Sequence, residues 1–464
     1  MKKIFLFIIA LIALIGCSVG PDYTRPDVAV PAGFKELKGW RKAQPRDQEI
    51  RTKWWEEFGD PLLNTLEEQV NVSNQSIALA ESQYRQALAQ VQLARANYFP
   101  SLGAGASFTR SRTAGDSSKA TNQHEVSLNA SWELDVWGKV RRQVEAGTAS
   151  AEASFADLQA MRLSMQSELA LNYFQLRTLD AQKKSLNDTA VAYNKALELT
   201  QNRYNTGVVA KADVVQAQTQ LKSAQAQAVD IGVQRAQLEH AIALLIGKSP
   251  ADFSLPPGEF KFPRIKIPVS LPSDLLERRP DIASAERKMA AANAQIGVAK
   301  AAYYPSLSLS GSLGYQSTVL SNLFSAPHFF WALGPMALAT TLFDGGARQA
   351  QTEQAMAVYD GTVASYRQTV LTAFQNVEDN LAALRILDEE AQIQEQVVNS
   401  ARESVALTTN QYKAGIVSYL NVVIVQAIAL TNERIAIGIS GQRMNAAALL
   451  IKALGGGWKS SAMP

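Results

Sequence analysis

The chain has 464 residues, and its Lys and Arg are nearly matched by Asp and Glu, for a formal net charge of +3. That balance gives no basis for a nucleic-acid partner. An aromatic content of 8% beside abundant Ala and Gln suits long helices more than a large compact core. A single cysteine excludes an internal disulfide, and the scattered His124, His240 and His328 make neither a thiolate metal site nor a catalytic cluster.

In chain order, residues 1–16 read as a signal peptide. Lys2 and Lys3 precede an apolar run from Ile4 to Ile15 that is too short to span a bilayer. The "LIGC" of residues 14–17 resembles a bacterial lipobox, so Cys17 is the expected lipidation site, and Ser18 after it points to the outer membrane. The covalent lipid is the one attached group the sequence implies; no cofactor or metal is expected. Two or more acyl chains, at roughly 0.8 kcal/mol per buried CH₂, give stable anchoring. Residues 17–59 then form a lipidated segment expected to pack along an equatorial belt.

The remainder reads as two copies of one unit. "ANYFPSL" ends at Leu102 and "AAYYPSL" at Leu307; "LTQNRYNTGVV" starts at Leu199 and "LTTNQYKAGIV" at Leu407. The offset is 205 between Pro100 and Pro305 and 208 between Tyr204 and Tyr412, too long for a solenoid of small repeats. The first repeat, 60–247, contains a helix, strands 101–110 and 124–136, a long helix 138–205, a turn and a helix 210–247. The second, 274–455, contains a helix, strands 306–316 and 329–343, a long helix 346–414, a turn and a helix 418–455. Between them, segment 248–273 carries six prolines and cannot be helix. Residues 456–464 are a C-terminal tail.

Each first helix shows a seam in steps of three and four: Ile77, Ala80, Tyr84, Ala87, Val91, Ala94 and Ile282, Ala285, Met289, Ala292, Ile296, Ala299. Alternate small knobs let helices approach closely. A helix of the length read over 138–205 is ~100 Å long, and the shorter helices stacked end to end match it. Each repeat is therefore expected to be a tall hairpin with one continuous and one broken leg.

The strand segments alternate. Val126, Leu128, Ala130, Trp132, Leu134 and Val136 oppose polar neighbours, as do Leu307, Leu309, Gly311, Leu313 and Tyr315; segment 329–343 is apolar on both faces and fits less well. Aromatics bracket them at Tyr98, Phe99, Trp137, Tyr303, Tyr304 and Phe343. Lipid outside, polar groups inside and an aromatic girdle mark a membrane barrel. Leu128, Trp132, Leu134, Leu307, Leu309 and Leu313 are the expected lipid-facing residues. Four strands cannot close, and open edges are not tolerated in lipid. A homotrimer supplies 12 strands and 12 helical rods. The fold class is mainly α with transmembrane β: a 12-stranded outer-membrane barrel, four strands per chain, on a long periplasmic α-helical barrel.

The stretches "GPDYTRP" (20–26), "WWEEFGDPLLNTL" (54–66), "WELDVWGKVRR" (132–142), "RRPDI" (278–282), "PSLSLSG" (305–311), "LFDGG" (342–346) and "LGGGW" (454–458) together resemble the TolC-like outer-membrane efflux protein family, in its lipoprotein branch. The resemblance implies trimeric exit ducts docked to a periplasmic adaptor and an inner-membrane RND transporter. It implies that the turns at Tyr204, Gly207, Val208 and Tyr412, Gly415, Ile416 contact the adaptor, and that the duct closes at this tip. Asp213, Leu407, Asn410, Lys413 and Asn421 are the gate candidates there. The second turn lacks the acid that relatives often use. In "RRPDI", Pro280 suits a first helical turn, while Arg278, Arg279 and Asp281 either bond across subunits or lie solvated. Metal-ion efflux, type I secretion and a non-conducting envelope spacer remain alternatives to small-molecule efflux, and a lipid-anchored periplasmic enzyme is a further one.

Overall fold

A computed structural model describes residues 18–36, 53–112, 120–258 and 278–457. Cys17, most of the proline-rich segment, and the tail after Gly457 lie outside the described residues. After a short 3₁₀ turn at Trp54–Phe58 come α1 (Pro61–Ser73), α2 (Gln75–Ala96), β1 (Ser101–Ser111), β2 (Thr121–Leu134), α3 (Lys139–Asn205) and α4 (Lys211–Leu245). The second copy runs α5 (Pro280–Ala301), β3 (Ser306–Ser317), β4 (Phe329–Ala339), α6 (Ala347–Lys413) and α7 (Tyr419–Ala453). The two long helices each have 67 residues, and the two that follow them each have 35. At 1.5 Å per residue these are about 100 Å and ~53 Å long.

The broken legs are held at their joints by one side chain each. Asn74 caps α2 by accepting from the Ser76 and Ile77 amides at 2.9 and 3.1 Å, and donates through Nδ2 to the Leu245 carbonyl at the end of α4 (2.8 Å). In the second copy Arg279 donates to the Ala453 carbonyl at the end of α7 (3.1 Å) and pairs with Asp281. Arg279 is buried, so neither a bond across subunits nor a solvated role describes it. Pro280 does open α5. The first helix of repeat one is broken at Asn74 into α1 and α2, a break the apolar pattern does not announce.

The wall runs in the order α2/α4, α3, α5/α7, α6, each packed on the next. In α2 only Ile77, Ala80, Tyr84, Ala87, Val91 and Ala94 escape full exposure, so this helix has a single packed seam, against α3. Its counterpart α5 packs on both α3 and α6, with Ile282, Met289, Ala292 and Ile296 buried. The chain therefore ends laterally in two free flanks, α2/α4 on one side and α6 on the other. Both flanks carry exposed aliphatics: Leu79, Leu88 and Leu93 on α2, and Leu371, Ile386 and Ile393 on α6.

The main core lies at the belt, where Trp54, Trp55, Phe58 and α1 pack onto Tyr173 and Phe174 of α3. Asp60 caps α1 through the Leu62 amide (2.8 Å) and accepts the Tyr173 hydroxyl (2.5 Å). Residues 18–36 form a strap across the rods. Val19 donates to the Trp137 carbonyl (3.1 Å), Tyr23 to Glu286 (2.7 Å) and Arg25 to the Tyr366 hydroxyl (2.9 Å). Gly20 has φ +105°, and a Cβ there would lie 2.5 Å from the Gly297 Cα, so the strap crosses α5 glycine on glycine.

The four strands make one antiparallel sheet in the order β1-β2-β3-β4. β2 ends at Leu134 and β4 at Ala339, short of the expected 136 and 343, because Asp135–Gly138 and residues 340–346 turn the chain into the long helices. Gly138 and Gly346 take φ +78° and +89° before α3 and α6. Asp135 and Asp344 accept the first-turn amides of Val140 and Arg348 at 2.8 and 3.2 Å.

Candidate functional site

The upper site is one face of the sheet. Residues directly opposite in an antiparallel pair point the same way. The register aligns Leu128 with Leu313, Trp132 with Leu309 and Leu134 with Leu307. It then aligns Leu313 with Trp331, Leu309 with Met336 and Leu307 with Leu338. On the other side Ala104 meets Leu128 and Leu102 meets Ala130. All six expected lipid-facing residues thus share one apolar face spanning every strand. The opposite face carries Gly103, Gly105 and Ser107, then Ser127 and Asn129, then Ser310 and Ser312. The apolar side is open: Leu102 is 80% exposed and Trp331 72%.

β4 joins that face through a bulge. Between Leu309 and Gly311 the partner strand steps from Met336 to Leu333, one residue more than alternation allows. Phe329, Trp331 and Leu333 before it and Met336 and Leu338 after it therefore point the same way. On the second face Phe330, Ala332, Ala337 and Ala339 stand opposite Gly314, Ser312, Ser308 and Ser306, so this strand is apolar on both faces, as its sequence reads. At the sheet's lower rim Trp137 stacks on Tyr304 at 4.9 Å and donates to the Pro305 carbonyl (2.7 Å), while Trp132 donates to the Tyr98 carbonyl (3.0 Å). Each indole therefore has its polar edge satisfied where the strands meet the rods.

The lower site is the pair of tip turns. Gly207 and Gly415 take φ +73° and +77°. Val208 donates back to Arg203 (2.8 Å) and Ile416 to Gln411 (2.9 Å), closing both long helices with the same glycine-dependent cap. Val208 and Ile416 remain 60% and 73% exposed. The two tyrosines part company here. Tyr204 is exposed, whereas Tyr412 is buried and does not belong to a contact surface. The Arg203 guanidinium lies 4.7 Å from the Tyr412 ring and donates to its carbonyl at 2.7 Å. Tyr419, the first residue of α7, packs on Tyr412 at 5.4 Å, and burial pushes its phenol up to about 12. Ala217 and Val422 complete this small core, so the two turns are fastened to each other.

Of the gate candidates, Leu407, Asn410, Lys413 and Asn421 are exposed and Asp213 is half-buried. Asn421 donates to Ser418 (3.3 Å), and Lys413 ends α6. Asp213 and Asn421 occupy matching places, 208 residues apart, on the third residue of α4 and of α7. The sequence does not single out Arg203, although it is the residue that joins the two turns. Farther up, Glu433 of α7 accepts from Arg402 (2.7 Å) and Ser185 (3.3 Å) inside a cleft of about 730 Å³ between α3, α7 and α6.

These features recur in known proteins. The family described as outer membrane efflux protein matches residues 66–248 and 271–456. The efflux pump outer membrane protein TtgC of Pseudomonas putida is 30% identical over 465 aligned positions, covering 98% of this chain and 96% of its own length. OprJ of Pseudomonas aeruginosa is 31% identical, covering 95% of this chain and 93% of its own. Among solved structures, the Campylobacter jejuni CmeC outer membrane channel superposes with a TM-score of 0.90 at 25% identity, with 96% of both chains covered. The outer-membrane channel OprN superposes with a TM-score of 0.89 at 29% identity, over 95% of this chain and all of that one. With the family match spanning both repeats, and full-length relatives agreeing in sequence and in fold, this chain belongs to the outer membrane efflux protein family.

Proposed function

We propose that three copies of this chain close into a 12-stranded outer-membrane barrel on a 12-rod periplasmic tube, the exit duct of a tripartite efflux pump. The observation that carries this reading is the apolar face continuous over four strands whose sheet has two free edges, set above ~100 Å helices. The free flanks α2/α4 and α6 supply the contacts between copies. An adaptor docks at Val208 and Ile416, and an inner-membrane transporter of the proton-driven RND class delivers small toxic compounds through it. The relatives named for toluene and solvent efflux support small-molecule cargo over protein secretion.

The duct rests closed at its tip, with Arg203 and Tyr412 holding the two turns of each chain together. Cys17 carries the lipid. Its neighbour Ser18 lies against Gly138, next to Trp137, and this supports an anchor at the height of the aromatic rim. The test is threefold: a detergent-stable trimer, ion currents from purified protein in planar bilayers, and hypersensitivity of a deletion strain to solvents, dyes and detergents. A monomer without currents, or unchanged sensitivity to every compound, rejects the duct. Cys17→Ser must abolish fatty-acid labelling for the anchor to stand.

A further inference from the structure

α4 and α7 occupy equivalent places 208 residues apart, yet they differ along one line. α7 is flanked within its own chain by α6 and α3, so neither lateral face awaits another subunit. Its Glu433 side looks into the cleft that Gly258 of the belt also lines. The belt lies outside a conducting tube, since inside it would plug the passage. At about 3.5 residues per turn, the face opposite Glu433 carries Asn421, Ile424, Ile428, Thr431 and Ile435, all exposed. The three isoleucines are 48%, 50% and 44% exposed. They look into the lumen. The matching positions of α4 are Asp213, Gln216, Gln220, Ser223 and Gln227. The two lines run as neighbours, since Arg434 of α7 donates to Gln227 of α4 at 3.0 Å.

The geometry points to three amphiphile tracks in the lower duct, one per chain, each pairing the isoleucine line of α7 with the amide and carboxylate line of α4. Apolar or alkyl parts of a solute slide on Ile424, Ile428 and Ile435, while a polar or cationic head rides on Gln216, Gln220 and Asp213. Aliphatic side chains ranged along a lumen have a use only if cargo covers them or if their convergence keeps the passage dry. Both follow here: hydrated ions are disfavoured and amphiphiles are held. The inference rests on the exit-duct reading and adds the chemical class of its cargo.

The experiment uses full-length protein in planar bilayers, with tetraalkylammonium ions added from the tip side as blockers. Tetrapentylammonium should block the unmodified channel at least about tenfold more strongly than tetraethylammonium, since each methylene reaching the wall adds about fourfold at ~0.8 kcal/mol. The triple change Ile424→Gln, Ile428→Gln, Ile435→Gln gives α7 the chemistry of α4 and should reduce that ratio to about threefold or less. Leucine at the same three positions should preserve it, and Ile424→Gln alone should lower it by about half. The same chain-length dependence in every variant overturns the tracks and leaves the duct standing. No current from any of them, even with the tip opened by Arg203→Ala, overturns the duct, and the tracks with it.

Discussion

Arg203→Ala tests the tip directly. The side chain makes two contacts to the other repeat: a donated bond to the Tyr412 carbonyl at 2.7 Å and a guanidinium 4.7 Å from the Tyr412 ring. A bond from a charged donor contributes about 1.5–3 kcal/mol and a partly exposed cation–π contact about 0.5–1. Arg203 is half-exposed, so solvent screening holds the sum to about 2 kcal/mol per chain. At 1.4 kcal/mol per factor of ten, that raises the local opening equilibrium of each tip roughly 30-fold. The packed pair Tyr412–Tyr419 remains, so the fold survives. The assay is single-channel conductance in planar bilayers, beside the sensitivity of cells to an antibiotic too large for ordinary porins. Larger conductance and greater sensitivity are expected, with Arg203→Lys intermediate because it keeps charge but loses the planar fork. An Arg203→Ala channel with unchanged conductance, while the protein remains a stable oligomer, would refute the latch.

Other consequences follow from single residues. Leu313→Arg places a charge on the apolar face and should lose about 2–4 kcal/mol of barrel stability, whereas Ser312→Arg on the opposite face should cost little; urea unfolding in bilayer vesicles separates the two. Glu67 is fully buried, neither carboxylate oxygen has a partner among the described residues, and burial holds its pKa well above the usual carboxylate value. The unfolded chain therefore loses this proton first, and stability falls as pH rises from about 4.5, by at most ~1.4 kcal/mol per unit. Glu67→Gln should flatten that slope above about pH 4.5 in melting curves; an unchanged slope would place the dependence elsewhere. Gly20→Val forces a Cβ onto the Gly297 backbone at positive φ and should cost about 1–3 kcal/mol at that crossing, read as faster proteolysis of the 18–36 strap.

Much of the architecture is written in sequence periodicity. The 208-residue offset locates both tips, and the seam from Ile77 to Ala94 is the packed side of α2 residue for residue. Three strands could be read because their alternation is uninterrupted. The fourth was placed at 329 but fitted less well, since its second face is also apolar and a bulge shifts the phase halfway along. Asn74 looked like any polar residue in a helical run. Its role depends on the Leu245 carbonyl, 171 positions away. Tyr204 and Tyr412 occupy matching places in the two copies but not matching surroundings. The residue opening the next helix is Lys211 in one copy and Tyr419 in the other, and that aromatic partner buries Tyr412. Pro280 was legible as a first-turn residue, but the Ala453 carbonyl that Arg279 reaches was not.

The free flanks of the wall have a historical and a mechanical meaning. Inside the chain, α3 of the first copy meets α5 and α7 of the second. Between chains, α6 must meet α2 and α4 in the corresponding way. A half-length ancestor could therefore have built the same cylinder from six identical pieces. Fusing the halves released alternate seams and alternate lumen lines from identity, so one junction was free to become a hinge while its neighbour stayed a weld.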